Sequence, residues 1–529
     1  MQRKIFTAFL VLLLCSNLFA QTIHNNGTHI VSQSGSYWVI DNGNFTLKSE
    51  SATNLATMAN LKIEADASLT LTPQSYVTVS GTLTNSSGTD GLVLRSTVDG
   101  TSSLIQSTNG VNATINRYVT GSTNLAAMKY HFVSVPLMPS FNSTANLLLG
   151  AYLYQLDVAS DSWQSYGTST TSPLDETKGY MVYYPAATHT FVFEGPINAG
   201  SFSPTVVYAG QGNNLVPNPY PSAIDWDAAS GWTKTNIANS VYVWPSGETE
   251  GNYATWIDGV GVNNGSRYIP AGQSFIVNAT ASSPVLTMND NVRVHNSQAF
   301  YKGGGQIADL LRIKAEANNY ADEVVVRFTE NATTTADPDF DAWKLTGLEA
   351  APQLYTLAGD AEKLSINSLP YLETAYSVPM NFELSVSKPV TLTFSETESF
   401  DPSVTIFLKD NLTGQTMNVR TQPEFSFNHN PANAAGRFTV LFGGAIGVEE
   451  PLTETQKMWI ADNILFINIP ELSGQQALLE VFNTSGNRLM TRSLVLNELT
   501  TTYLNLEGFV IVKLTTGQKV LTTKGILMK

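Results

Sequence analysis

A chain of 529 residues with 43% hydrophobic content is long enough for three or four domains, each with its own core. Charged residues are only 13%, about half the roughly 25% of ordinary soluble proteins, and the place of charge is taken by Asn, Ser, Thr and Gly. The net charge of −15 argues against nucleic acid as a partner, since phosphate binding needs clustered Lys and Arg.

In chain order, Arg3 and Lys4 precede the apolar run Ile5 to Leu14, and Leu18-Phe19-Ala20 before Gln21 offers a small residue at a cleavage point. Residues 1–20 therefore read as a secretory signal peptide, too short for the roughly twenty apolar residues of a membrane-spanning helix. No longer apolar run follows, so no transmembrane segment is expected in the mature chain. Cys15, the sole cysteine, lies inside the signal, so the exported chain would have neither disulfides nor a thiol nucleophile.

Over 21–115, apolar residues alternate in short bursts (Leu61, Ile63, Leu69, Leu71, Val77, Val79, Leu83, then Leu92, Val93, Leu94) between Gly, Asn, Ser and Thr. Such short, close-spaced strands predict a repetitive β-module, either a stacked solenoid or a small sandwich. Residues 116–302 carry a diverged duplication. His131 to Pro136 corresponds to Asn214 to Pro219, Tyr152-Leu153-Tyr154 to Tyr242-Val243-Trp244, Lys178 to Val182 to Ala271 to Ile276, and Phe191-Val192-Phe193 to Leu286-Thr287-Met288. Two related β-units packed on each other follow. Gly303-Gly304-Gly305 lacks the Gly-Lys-Ser/Thr continuation of a phosphate loop and reads as a hinge. A β-sandwich is expected over 306–443, an acidic, proline-containing linker over 444–459, and a small carboxyl-terminal β-sandwich over 460–529. The fold class is thus all-β and multidomain.

Candidate chemistry is sparse. His24, His29, His131, His189, His295 and His429 are dispersed and form no zinc-protease motif, and no Gly-x-Ser-x-Gly elbow occurs. Glu330 and the alternating Asp337, Asp339 and Asp341 read either as a calcium site, the one cofactor considered, or as a solvated turn around Pro338. Asp225 and Asp227 flank Trp226 and suit turns or caps unless their spacing fits glycoside hydrolysis. Tyr152, Tyr154, Trp163 and Tyr166 recur in kind as Tyr242, Trp244, Tyr253 and Trp256. Flat rings on one sheet face would stack on surface glycans, or the same spacing is core packing.

The last 75 or so residues carry Val481-Phe482-Asn483-Thr484-Ser485-Gly486, Leu506-Glu507-Gly508-Phe509-Val510-Ile511-Val512-Lys513 and Lys524-Gly525-Ile526-Leu527-Met528-Lys529. These resemble the carboxyl-terminal sorting domain, type A-like, of type IX secretion cargo in Bacteroidota, with Phe509 where Tyr is common. On that resemblance Gly486, Gly508, Lys513, Lys524 and Lys529 belong to the sorting motif. It implies type IX secretion machinery and a sortase-like peptidase as partners, and passage through the periplasm to the outer-membrane surface or the medium. Asn218 to Trp226, Ile269 to Phe275 and Phe340 to Lys344 resemble recurrent segments of Bacteroidota surface proteins of undefined role. The expected function is a non-enzymatic, secreted or cell-surface β protein serving adhesion or the cell exterior. The alternatives are a carbohydrate-binding surface protein and, last, a glycoside hydrolase.

Overall fold

The structure is a computed structural model that describes residues 36–527 except 42, 49–55, 125–127, 139–149, 167–173, 246–250, 297–306, 373–374, 444–456, 462, 484–485 and 518. The signal peptide, Cys15, His24, His29, Gly303 to Gly305, the 444–456 part of the linker and Lys529 lie outside the described residues. The chain is all-β, 54% strand and 3% helical. Among the described residues no helix is long and apolar enough to cross a membrane.

The amino-terminal module is a solenoid with three parallel stacks. One holds Tyr37–Ile40, Asn60–Ile63 and Leu83–Asn85; another holds Ala56–Met58, Tyr76–Val79 and Ser103–Gln106. The third holds Gly43–Leu47, Ala67–Leu71, Leu92–Leu94 and Asn112–Thr120. Tyr37 pairs with Asn60 and Leu69 with Leu92, so each coil takes about 23 residues, the scale of other stacked repeats. Leu61, Ile63, Leu69, Leu71, Val77, Val79, Leu83, Leu92 and Leu94 all point inward and are buried, whereas Val93 is only partly so. Strict alternation puts every second side chain into the coil.

The boundary expected after residue 115 falls inside the last coil strand. Asn112–Thr120 pairs antiparallel along its whole length with Thr188–Pro196, so the first repeat closes an edge that would otherwise be open. Solenoid and first repeat accordingly share one core, in which Leu92, Leu94 and Leu104 join Val133, Tyr180, Phe191 and Phe193.

The two repeats have one strand order. In the first, Tyr130–Val133, Tyr180–Tyr183, Tyr152–Asp157 and Ser162–Ser165 lie side by side. In the second, Asn213–Pro217, Ser274–Ala279, Ile237–Val243 and Ala254–Ile257 do so, extended by Val260–Val262. Their sheets meet through Phe132, Met181, Leu215 and Ile276. Two buried hydroxyls fix the contact: Ser134 Oγ donates to the Asn218 carbonyl at 2.8 Å and Ser274 Oγ to that of Val133 at 2.7 Å.

The third unit, from Leu310 to Gly443, is one 11-stranded hydrogen-bonded sheet rather than two separate ones. It bends round a single core that includes Ile313, Val326, Met380, Leu392, Ile406 and Val440. Its inner edge touches the repeats, since Leu310, Val325, Ala342 and Ile366 enter the same cluster as Phe132 and Tyr242.

The carboxyl-terminal module is a sandwich of a three-stranded and a four-stranded sheet. It starts earlier than expected, because Lys457–Ala461 is a strand paired with Ile464–Asn468. Leu465, Leu479, Val481, Val510, Val512 and Leu514 form its own core. It meets the third unit through apolar groups: Trp459 stacks between Phe407 (centroids 5.5 Å apart, planes at 17°) and Phe466 (5.0 Å, 5°).

Candidate functional site

A polar concavity lies where both repeats meet the third unit. It is a cleft of about 850 Å³. The hairpin Tyr152–Asp157 and Ser162–Ser165 brings Trp163 and Asp161, and the entry to Asn213–Pro217 brings Tyr208. Tyr253 lines the cleft as well, as do Trp343 and the turn Asp360-Ala361-Glu362. Tyr208 is 54% exposed. Trp343 Nε1 donates to Glu362 Oε2 at 3.1 Å, which fixes the indole on the rim.

A relay of amides holds Asp161. Asn278 Nδ2 donates to Asn213 Oδ1 at 3.2 Å, and Asn213 Nδ2 donates to Asp161 Oδ1 at 3.0 Å. Asp161 stands at φ 48° and Ala361 at φ 68°, both left-handed. For an alanine this conformation costs about 1–2 kcal/mol, so the surrounding fold imposes the turn that presents Asp360 and Glu362.

The eight aromatics are divided by depth. Tyr242 and Trp256 are buried and face the interior rather than a ligand. Tyr242 Oη accepts from Ser240 Oγ at 3.1 Å, and Trp256 Nε1 donates to Asp227 Oδ2 at 2.8 Å. Tyr154, Trp163, Trp244 and Tyr253 are partly buried between the two repeat sheets. Phe132 packs 5.5 Å from Trp163, and Trp244 packs 5.0 Å from Tyr253. Tyr166 packs on Tyr180, and Tyr152, 46% exposed, lies on Tyr183 away from the cleft. Of the six residues expected to bind glycan, only Trp163 therefore lines the cleft. Tyr253, its companion in the duplication, does so too, and Tyr208 and Trp343 were not singled out.

The acidic groups are engaged within the fold. Asp341 is 1% exposed, accepting from the Ser368 amide at 2.6 Å and the Asp337 amide at 2.8 Å. Burial pushes its carboxyl up to about 7, against the two amide bonds that pull it down. Asp337 and Asp339 turn within the loop, with Asp339 N donating to Asp337 Oδ1, and Glu330 is exposed. Among the described residues no three His, Cys, Asp or Glu side chains gather as a metal site. Asp225 is clamped by Arg267 (Nε 2.6 Å, Nη2 2.7 Å), so this pair serves the fold. Beside it Lys234 Nζ lies 3.5 Å from the Trp226 ring centroid, and burial pulls its ammonium down to about 8.

His131 and His295 are both pulled down to about 4 by burial, with Arg117 and Lys129 opposing a charge on the first and Arg293 on the second. His295 bridges Thr78 and Ser103 of the solenoid at 2.9 and 2.8 Å. Below the usual imidazole value of about 6.5 the unfolded chain takes up protons that the folded one refuses, so stability falls between pH 6.5 and 4. His295→Gln should flatten that fall by about 2 kcal/mol between pH 7 and 4.5. Urea midpoints at the two pH values check it; an unchanged pH slope would refute the assignment.

In the carboxyl-terminal module Gly486 (φ 79°) and Gly508 (φ 88°) sit where a side chain is strained, so backbone conformation explains both glycines. Lys513 and Lys524 lie on the outer face of the four-stranded sheet with the exposed Phe509, Ile511 and Ile526. Lys513 also reaches Glu480 at 3.7 Å.

The fold and its cleft define an all-β, multi-unit protein of solenoid, duplicated sheets and a wrapped sheet, followed by a sandwich with its own core. Residues 24–442 match the model of a family described as Domain of unknown function (DUF8693), and the chain belongs to that family. No curated protein matches the chain. The match ends at the last strand of the third unit, Phe438–Gly443, and leaves the carboxyl-terminal sandwich outside.

Proposed function

We propose that this is a non-enzymatic surface or secreted protein, exported through the periplasm by type IX secretion, whose body of residues 24–442 serves adhesion or builds the cell exterior. The observation that carries the reading is the separateness of the carboxyl-terminal sandwich. It has its own core, lies outside the family match, and touches the body through a small apolar stack. Its outer face combines exposed apolar residues with Lys513 and Lys524, a surface suited to a protein partner. The signal-like amino terminus and the sorting-domain resemblance supply the route. Asp225 is held by Arg267 and Asp227 accepts from Trp256 Nε1, so both carboxylates of that pair are engaged within the fold, which supports a binding role over a hydrolytic one.

Removal of 457–529 should leave the body folded in the periplasm and abolish surface display. Cell fractionation with surface proteolysis reads this directly, and display of the truncated chain would overturn the export assignment.

A further inference from the structure

The geometry points to the cleft between the repeats and the third unit as a binding site for a neutral polysaccharide. This rests on the adhesive reading of the body and names what it grips.

Three observations converge. The first is the placing of the aromatics. Trp163, Tyr253, Tyr208 and Trp343 all line the cleft. They are not uniformly sunk in a core: Tyr208 is more than half exposed, and Trp343 is partly exposed with its indole N–H tethered to Glu362. The apolar C–H faces of pyranose rings pack on such surfaces, while the hydroxyls around the ring edge need acceptors and donors in fixed places.

The second observation is that such groups are fixed here. The Asn278 to Asn213 to Asp161 relay runs from a buried strand to the cleft wall, with Asn213 4% and Asn278 9% exposed. Asp360 and Glu362 stand on a turn forced through the left-handed Ala361. Strain held at a concave rim, together with a preformed polar relay, is the pattern of a ligand site built before its ligand arrives. The cleft is also of the volume usual for ligand sites, roughly 300–1,000 Å³.

The third is charge. Asp161, Asp360 and Glu362 line the cleft, whereas its two lysines are already paired, Lys344 with Asp322 at 2.6 Å and Lys363 with Glu383 at 3.3 Å. The chain as a whole carries −15. Uronic or sulfated polymers meet like charge on approach, and neutral hexose polymers do not. Carboxylates flanking aromatic faces accept paired hydroxyls well, which again favours an uncharged, hydroxyl-rich chain.

The test uses the purified full chain in native gels cast with laminarin, xylan, soluble starch or the anionic alginate. At least one neutral polymer should retard the protein and alginate should not. Tyr208→Ala and Trp343→Ala should each weaken that retardation at least tenfold, with Tyr152→Ala, an exposed ring outside the cleft, leaving it unchanged. Equal thermal melting of the variants shows that the cleft alone has changed. Lack of retardation by every neutral polymer, retardation indifferent to both cleft variants, or equal retardation by alginate would each overturn the proposal. Because the readout is on purified protein, its failure leaves the export assignment standing, and failure of surface display leaves the cleft standing.

Discussion

Arg293→Ala should destabilise the body by about 3–5 kcal/mol, the range for stripping one partner from a buried charged network. Its guanidinium is completely enclosed. Nη1 donates to the Gln106 carbonyl at 2.6 Å and Nη2 to the Leu104 carbonyl at 2.7 Å, both in the last turns of the solenoid. Nε donates to Ser222 Oγ at 3.2 Å in the second repeat, Asp290 sits at 3.0 Å, and the plane lies 4.9 Å from the Tyr220 ring centroid. One side chain thus satisfies acceptors from two units, and its removal leaves several buried oxygens without donors, each costing about 1–3 kcal/mol. Lysine cannot replace it, because three donors on a single nitrogen do not reach three directions across a planar fork. For a unit of this size the calorimetric transition should fall by roughly 10 °C. A shift under about 2 °C would show that the solenoid and the second repeat are held elsewhere.

None of that network was legible in the sequence, for a physical reason. Two of the four hydrogen-bond partners of Arg293 are backbone carbonyls 187 and 189 residues away, and a carbonyl has no signature in a sequence. What was legible followed from periodicity. The alternation from Leu61 to Leu94 marks inward positions of a coil, and the duplication is visible because two copies of one sheet bury equivalent positions. The same logic failed where its premise failed. Asp337, Asp339 and Asp341 would converge only on extended backbone, but the Phe340 and Asp341 amides both bond back to the Asp337 carbonyl, at 3.2 and 2.7 Å, so the segment is a turn and Asp341 points inward. The spacing of the aromatics left both a stacking face and core packing open, and the two repeat sheets face each other and cover part of the stripe. Strand spacing tells which residues share a face, not which face is covered, so Tyr242 and Trp163 look alike in sequence and differ in depth. The cleft escaped notice because its walls come from three units, and Tyr208 and Trp343 belong to no repeat.

The junction behind that cleft should be as sensitive as the one at Arg293, and unequally so for its two partners. Asp322 is fully buried and takes four donors: Lys344 Nζ at 2.6 Å, the Leu354 amide at 2.6 Å, Asn263 Nδ2 at 2.9 Å and the Glu323 amide at 3.0 Å. Lys344 also reaches Asn252 Oδ1 at 3.3 Å, and Asn252 Nδ2 donates to the carbonyls of Ala321 and Pro352. The second repeat, which contributes Asn252 and Asn263, is thereby locked to the third unit. Lys344→Met removes the cation but leaves the carboxylate held by three N–H donors, so a cost of about 3 kcal/mol is expected, at the low end for a broken buried pair. Asp322→Ala strands a buried ammonium and three N–H groups together, and about 5 kcal/mol or more is expected. Urea unfolding of the two variants decides it. Equal costs, or the reverse order, would mean that the ion pair and not the amide cradle supplies the stability. The predicted asymmetry matters for the cleft, because Lys344 lines it. A Lys344→Met chain that keeps its fold retains Trp343 on the rim and makes the cleft more anionic, so it should bind neutral polymers still and repel alginate more strongly.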